Sequence, residues 1–360
     1  MAEEKFIGDF TKGTRALKEE AMKLAQHASK LLSDTDTPLI GVTGAEGELG
    51  TLLLKMLRSR GHRVRAFRRE TGPSLLNCEE EVVWDLTARA GAEDAASGQP
   101  PNPLEGCESV IHLAAMPKPW ESWQTIYESN LLIDNTLFAA AAGSSSVKRV
   151  VYASTNHTQH GASMRSTPET LDSNRFGAHL LGGGGGGLPL MTPNDPPDPD
   201  SFYAISKLHG ENTGRFYART RGLTVICLRI GWIVKEPNPL DSPWVSSADN
   251  REYMRAMNLS HADASEIFSR AAATPVADLA VPSIGSQGGR FAVCYACSAN
   301  GRRVFDLSST EAVLKYRPTS DVEEFFSAAN DGGGKTGGEE DAEAGGDDPA
   351  SKRQKHENDA

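Results

Sequence analysis

Tyr203 and Lys207 stand four residues apart in SFYAISKLHGENTGRFYART, residues 201–220, a stretch whose pattern predicts a helix. That spacing puts both side chains on one helical face, within reach of each other. A phenol with its ordinary pKa of about 10 is mostly protonated, and a poor base, near neutrality. An ammonium about 4 Å away, at an effective dielectric near 20, is worth roughly 4 kcal/mol or about three pKa units, which brings the phenol to about 7. Such a pair takes a proton from a hydroxyl or gives one to a carbonyl. The same spacing also occurs on many plain surface helices, so the pair needs partners elsewhere in the chain.

The first partner is a turn. PLIGVTGAEGELGTLLLKML presents Gly44, Gly47 and Gly50 straight after an apolar strand and at the opening of a helix. Glycine lets the backbone turn tightly and approach a pyrophosphate, and the helix N-terminus offers unpaired N–H groups and a favourable dipole to the anion. The expectation is a dinucleotide held along Gly44, Glu46, Gly47, Glu48, Leu49 and Gly50. A tight βα turn without a ligand is the competing reading. Next comes VRAFRRE. At the end of a second strand an acid holds the ribose hydroxyls of NAD, whereas arginine accommodates the 2′-phosphate of NADP. Arg68 and Arg69 occupy that place, so NAD or NADP fits and the arginines favour NADP. Asp85, followed by Leu86 at the end of the third strand, is either a partner for the adenine amine or a loop cap.

These residues need a scaffold that gathers distant segments. From about 36 to 325, β-branched runs such as PLIGVTG, HRVRAFR, EEVVWDL, SVIHLAA, VKRVVYAST and TVICLRIG alternate with helical stretches. That alternation predicts a Rossmann-type doubly wound α/β fold, a parallel sheet with helices on both faces, with a small C-terminal substrate-binding part. The domain is expected over 36–328, with substrate elements mainly at 160–200 and 232–325. Ahead of it, within 1–35, Leu17, Ala21, Leu24, Ala28 and Leu31 form one apolar stripe of an amphipathic helix suited to docking on the main domain or a sister subunit. Just before Tyr203, LGGGGGGLPL and TPNDPPDPD read as a long surface loop, with Gly182–Gly187 as a mobile lid. Residues 329–360 are too polar to offset their ordering entropy and read as a disordered acidic tail.

The net charge of -11 argues against partners held by bulk positive charge, so neither nucleic acid nor an anionic membrane is expected. No apolar run approaches the length of a spanning helix, and the N-terminus shows no secretory pattern. Five scattered cysteines suit reduced thiols in the cytoplasm, and Cys294-x-x-Cys297 reads as core packing. KRQK near the C-terminus is short for a nuclear-import patch and is read as solvated tail.

In order along the chain, the glycine triplet, His112-Leu113-Ala114-Ala115 ending a fourth strand, Asn130 in the next helix, Ser154-Thr155 ending a fifth strand, and Tyr203-x-x-x-Lys207 resemble the extended short-chain dehydrogenase/reductase superfamily and its NAD-dependent epimerase/dehydratase family. YASTNHTQHG, LRIG, NLSHADASEIF and YRPTSDVEEF make the chain most similar to the uronate-dehydrogenase-like sugar enzymes. The resemblance implies Tyr203 as general acid/base, Lys207 also gripping the nicotinamide ribose, and Thr155 in place of the family's serine on the same substrate oxygen. Asn130 would link Lys207 to solvent through a water, a surface asparagine being the alternative. Further cofactor contacts are implied at Leu113, Ala114, Ala115 and Ile230, and substrate contacts at Ser154, Asn156 and His157. With no acid or histidine seen to cluster with it, His157 is read as a substrate contact, and no metal is expected. Carboxylate recognition calls for an arginine fork; Arg255 is the candidate, a helix-surface arginine the alternative. Pro117 and Trp232 stand where uronate dehydrogenases place small hydroxyl residues, and Arg68 where they carry an acid.

The function so implied is NAD(P)-dependent oxidation of a hydroxyl, or reduction of a carbonyl, on a sugar or sugar acid, by a homodimer built on two helices per subunit. The alternatives are a nucleotide-sugar epimerase or dehydratase, in which hydride leaves and returns, and an NADP-binding sensor without turnover.

Overall fold

The computed structural model describes residues 37–88, 102–161 and 190–331. The expected helix within 1–35, the Gly182–Gly187 tract and residues 332–360 lie outside the described residues. Seven strands form one all-parallel sheet: β1 (Leu39–Thr43), β2 (Arg63–Arg68), β3 (Glu80–Val83), β4 (Cys107–His112), β5 (Arg149–Thr155), β6 (Thr224–Ile230) and β7 (Arg290–Ala296). They fall where the apolar runs predict. Every residue of β1, β5 and β6 is buried, as befits strands covered on both faces.

The spatial order is β3-β2-β1-β4-β5-β6-β7. The chain builds outward from β1 through β2 and β3, then returns to lay β4 along the other side of β1, with Thr43 beside His112. This reversal opens a crevice at the C-terminal ends of β1 and β4, the place where open α/β sheets bind ligands.

Helices close both faces: α1 (Glu48–Ser59), α2 (Trp123–Ile126), α3 (Leu132–Gly143), α4 (Phe202–Arg221), α5 (Ala248–Met257), α6 (His261–Ala273), α7 (Ser308–Leu314) and α8 (Glu323–Asp331). On one face Leu53, Leu54 and Leu57 of α1 and Ile267 and Phe268 of α6 share a core with Ile40 and Val42. On the other, Leu137, Phe138 and Ala141 of α3 and Ala218 of α4 share one with Val150, Tyr152 and Val225. Helix α4 starts where the Ser201 hydroxyl accepts the Ala204 N–H at 3.2 Å and stops at Gly222, whose φ of 76° is left-handed.

Two features depart from the sequence expectation. Helices α2 and α3 are joined by a π-helical turn, Tyr127–Leu131, and Asn130 is buried in it; such wide turns occur mostly singly and often at functional sites. Helix α8 runs to Asp331, so the fold reaches past the expected boundary at 328. Its anchor is Phe326, buried with Val234, Val245, Met254 and Val322 in a small satellite core. A second satellite core joins Met191, Met257, Tyr295 and Phe305, with Trp232 and Tyr253 packed against it. No helix among the described residues is long and apolar enough to cross a membrane.

Candidate active site

A cavity of about 670 Å³ occupies the crevice and reaches from the glycine turn to α4. Gly44 has a φ of +67°, and a Cβ there would come within 2.7 Å of the Ala114 nitrogen. A Cβ on Gly50 would lie 2.2 Å from the Gly44 carbonyl oxygen. The turn therefore closes on itself and on the end of β4 only without side chains at these positions. Gly47 caps α1 without a side-chain hydrogen bond, which leaves the first-turn N–H groups for an anion. Glu46, Glu48, Leu49, Asp85, Leu86, Leu113, Ala114, Ala115 and Ile230 all line the same cavity. This wall of open amides and close-set glycines fits a dinucleotide.

The two arginines after β2 part company. Arg68 is buried, its guanidinium donating to the Pro73 carbonyl at 2.8 Å and to Glu81 at 3.1 Å, with Glu46 3.5 Å away. It ties the loop together. Arg69 remains 71% exposed with its Nε 4.0 Å from Asp85. Glu46 accepts the Arg69 backbone N–H at 3.4 Å, so this end of the cavity holds both a solvent-facing arginine and a carboxylate delivered by the glycine turn. Asp85 caps its loop, accepting the Thr87 hydroxyl at 2.7 Å and N–H at 2.9 Å, and both bonds hold its carboxyl below the usual range.

At the far end Tyr203, Lys207, Thr155 and Ser154 line the cavity together. Tyr203 and Lys207 are 9% and 2% exposed, so the pair is buried rather than displayed on a helix surface. The Lys207 Nζ lies 5.8 Å from the centre of the Tyr203 ring and 4.9 Å from that of Tyr152. The expected phenol near neutrality is not what this site provides. Burial pushes the Tyr203 phenol well up, the Thr155 hydroxyl pulls it part of the way back, and the Asp134 carboxylate raises it further. Desolvation is the largest of these effects. Lys207 is itself lowered by burial, with Asp134 acting against that shift.

Asp134 belongs to a buried chain of hydrogen bonds beneath the pair that periodicity did not reveal. Tyr152 donates to its Oδ2 at 2.9 Å, and His112 Nε2 lies 3.2 Å from its Oδ1. The other imidazole nitrogen, Nδ1, is 2.7 Å from the Thr43 hydroxyl, which in turn accepts the Ala114 N–H at 3.3 Å. Burial lowers the His112 pKa. The neutral ring with its proton on Nε2 then satisfies every member of the chain. Asn130 is 1% exposed rather than a surface residue. It accepts the Met116 N–H at 2.7 Å and donates to Ser206 at 3.0 Å, and Ser206 donates to the Tyr203 carbonyl at 2.7 Å. Asn130 thus clamps the loop after β4 to the turn of α4 that carries Tyr203.

The expected substrate residues scatter more. The Ser154 hydroxyl turns away and donates to Glu211 at 2.6 Å, beside the buried Arg229–Glu211 pair. Asn156 donates to the Tyr253 hydroxyl at 2.7 Å. His157 does have an acid and a histidine beside it, contrary to expectation: its Nδ1 is 2.8 Å from Asp200 Oδ2, and His160 Nδ1 is 2.6 Å from the same oxygen. Burial alone would raise Asp200; the two imidazole hydrogen bonds and their charge prevail and hold it well below the usual carboxylate range. The structure does not bring Arg255 to the cavity. Its guanidinium donates to Glu252 at 2.8 Å, lies 3.4 Å from Glu323 and stacks on Phe326. Asn156 and His157, with their partners Tyr253, Asp200 and His160, stand outside the lining of the cavity, and those three partners carry no local signal in the sequence; Trp232 lines it.

Residues 40–234 match the NAD dependent epimerase/dehydratase family. The chain is 32% identical over 283 residues to the L-arabinose 1-dehydrogenase (NAD(P)(+)) of Haloferax volcanii, a match covering 78% of this chain and 95% of that one. It is 32% identical over 212 residues to the uronate dehydrogenase of Agrobacterium fabrum, covering 58% and 67% respectively. The solved uronate dehydrogenase from Agrobacterium tumefaciens superposes with a TM-score of 0.56 at 24% identity, over 84% of this chain and 91% of that one. The glucuronic acid dehydrogenase from Chromohalobacter salexigens gives 0.57 at 23% identity, over 83% and 91%. These structures share the fold. With the glycine turn, the reversed strand order and the buried tyrosine–lysine pair in one cavity, the chain belongs to the NAD dependent epimerase/dehydratase family.

Proposed function

We propose that this protein is an NAD(P)-dependent oxidoreductase that oxidises a hydroxyl, or reduces the matching carbonyl, of a sugar-type substrate. One observation carries it: Tyr203, Lys207 and Thr155 converge on one end of a cavity whose other end is the glycine turn. The names of the L-arabinose and uronate dehydrogenases to which the chain is similar support it.

A bound nicotinamide nucleotide would supply the hydride chemistry. The free amides of Glu48, Leu49 and Gly50 would hold its diphosphate, and Glu46 with Arg69 would face its adenosine ribose, the arginine favouring NADP over NAD. Thr155 and Tyr203 bind the reacting oxygen, and the phenol moves the proton. With its pKa raised by burial, Tyr203 is the donor when a carbonyl is reduced. In the oxidation direction it must shed that proton, which a neighbouring cation favours; Lys207 is the resident one. Asn130 keeps the α4 turn in place, and Asn156 and His157 stand beside Thr155 as contacts for the sugar.

The test is direct. Purified protein is given NAD and NADP with a panel of aldoses and uronates, and reduced-cofactor absorbance is followed. Net growth supports the proposal. With nucleotide sugars added to the panel and their products separated, interconversion without net reduction would indicate an epimerase, and tight dinucleotide binding with no turnover a sensor.

The same molecule is proposed to act as a homodimer in the cytoplasm. Trp123, Tyr127, Phe202, Ile205 and Phe216 are 42–50% exposed across α2, the π-turn and α4, an apolar face that a second copy would cover. Sedimentation equilibrium at micromolar concentration is expected to give twice the chain mass, and a monomer would reject the dimer. All five thiols are free, which suits a reducing compartment.

A further inference from the structure

A sugar dehydrogenase has to tell a neutral sugar from a sugar acid, and that choice rests on the groups standing beside the reacting hydroxyl. Next to Thr155, Asn156 is buried and bonded to the Tyr253 hydroxyl at 2.7 Å. The Tyr253 ring packs on Trp232 with centroids 5.3 Å apart, and Trp232 lines the cavity itself. His157 stands edge-on to Tyr203 at 6.2 Å, and its imidazole is bonded to Asp200. Trp232, Thr155 and Tyr203 line the cavity at this end, and directly behind them stand the Tyr253 phenol, the Asn156 amide and the His157–Asp200 pair.

The guanidinium that would clamp a substrate carboxylate is occupied elsewhere. Arg255 is held by Glu252 at 2.8 Å and Glu323 at 3.4 Å and lies 4.2 Å from the Phe326 ring centre. Arg302 reaches the same two glutamates, at 2.8 and 3.4 Å. Two cations and two anions close a neutral cluster, and drawing Arg255 out would strand partly buried carboxylates. Lys235 also lines the cavity, but it is exposed and hydrated, where an ion pair contributes little.

We infer that the site takes a neutral aldose against the Trp232 face, backed by Tyr253 and Asn156, and disfavours the corresponding uronate. The inference rests on the oxidoreductase function proposed above. Aromatic rings cover the C–H face of a sugar, while Asn156 and the Tyr253 hydroxyl meet its hydroxyl groups. A carboxylate on that wall would shed water beside Asp200 without gaining a guanidinium.

Matched substrates decide it: galactose against galacturonate and glucose against glucuronate differ only at C6, and arabinose has no such group. With the full chain and either dinucleotide, kcat/KM for the neutral member should exceed that for its uronate by about tenfold or more. Equal or better turnover of the uronates overturns the inference and leaves the oxidoreductase proposal standing. Dinucleotide binding without reduced cofactor on any of these sugars overturns both. Tyr253→Arg puts a guanidinium where the phenol stands and should move the ratio toward the uronate by about tenfold. Dinucleotide affinity measured on the same preparation shows that the variant is folded. A folded variant with the wild-type ratio removes Tyr253 from the choice.

Discussion

The two ends of the cavity are built by different means. The nucleotide end is backbone: a turn at Gly44 to Gly50 whose shape depends on side chains being absent, fed by one strand and leading into one helix. The catalytic end is side chains, buried and gathered from β4, β5, the π-turn, α4 and α5, with partners such as Asn156 and Tyr253 separated by 97 residues. A turn made of backbone is sensitive to any added atom and does not depend on a protonation state. A site made of buried side chains is the reverse, because its protonation states follow from desolvation and near neighbours.

That contrast can be broken by three substitutions. The largest effect is expected for Tyr203→Phe, which should lower kcat by roughly 10²- to 10⁴-fold, the usual contribution of a positioned acid or base. Its dinucleotide affinity should stay at the wild-type level by fluorescence titration. If turnover survives, the phenol is not the proton carrier. Gly50→Ala should do the opposite and weaken dinucleotide binding by roughly a hundredfold, about 2.8 kcal/mol, since its Cβ would collide with the Gly44 carbonyl. Unchanged affinity would mean that the turn yields more readily than its contacts indicate.

The smallest effect is a pH shift. Asp134 raises the Tyr203 pKa, and the oxidation reaction needs the deprotonated phenol. The rising limb of kcat/KM for oxidation should therefore move to lower pH in Asp134→Asn. A limb that stays in place would show that the buried carboxylate is not felt at the phenol.

Legibility in the sequence followed the same division. Alternating strands and helices, the glycine turn and the four-residue tyrosine–lysine spacing are local patterns, and the structure puts them where those patterns indicate. The walls around them come from pairings with no local trace. Asp200 meets His157 from 43 residues away, and Asp134 meets Tyr152 from the next strand. Arg255 shows how near a local reading can come. It lies on the right helix, yet Tyr253, two positions earlier, is about 200° round the axis and is the residue that meets Asn156. The phenol's acidity departs from what the spacing predicts because spacing gives neighbours but not burial, and here burial dominates.

The wide turn at Tyr127–Leu131 sets a phase between two machines. Each helical residue advances the chain by about 100°, so shortening this turn by one residue would rotate all of α3 against the segment holding Asn130. The clamp on Met116 and Ser206 would keep its grip while Asp134 swung away from Tyr152 and His112. A single surplus residue is thus what lets one continuous helical rod serve the loop above the sheet and the proton-holding chain below it at the same time.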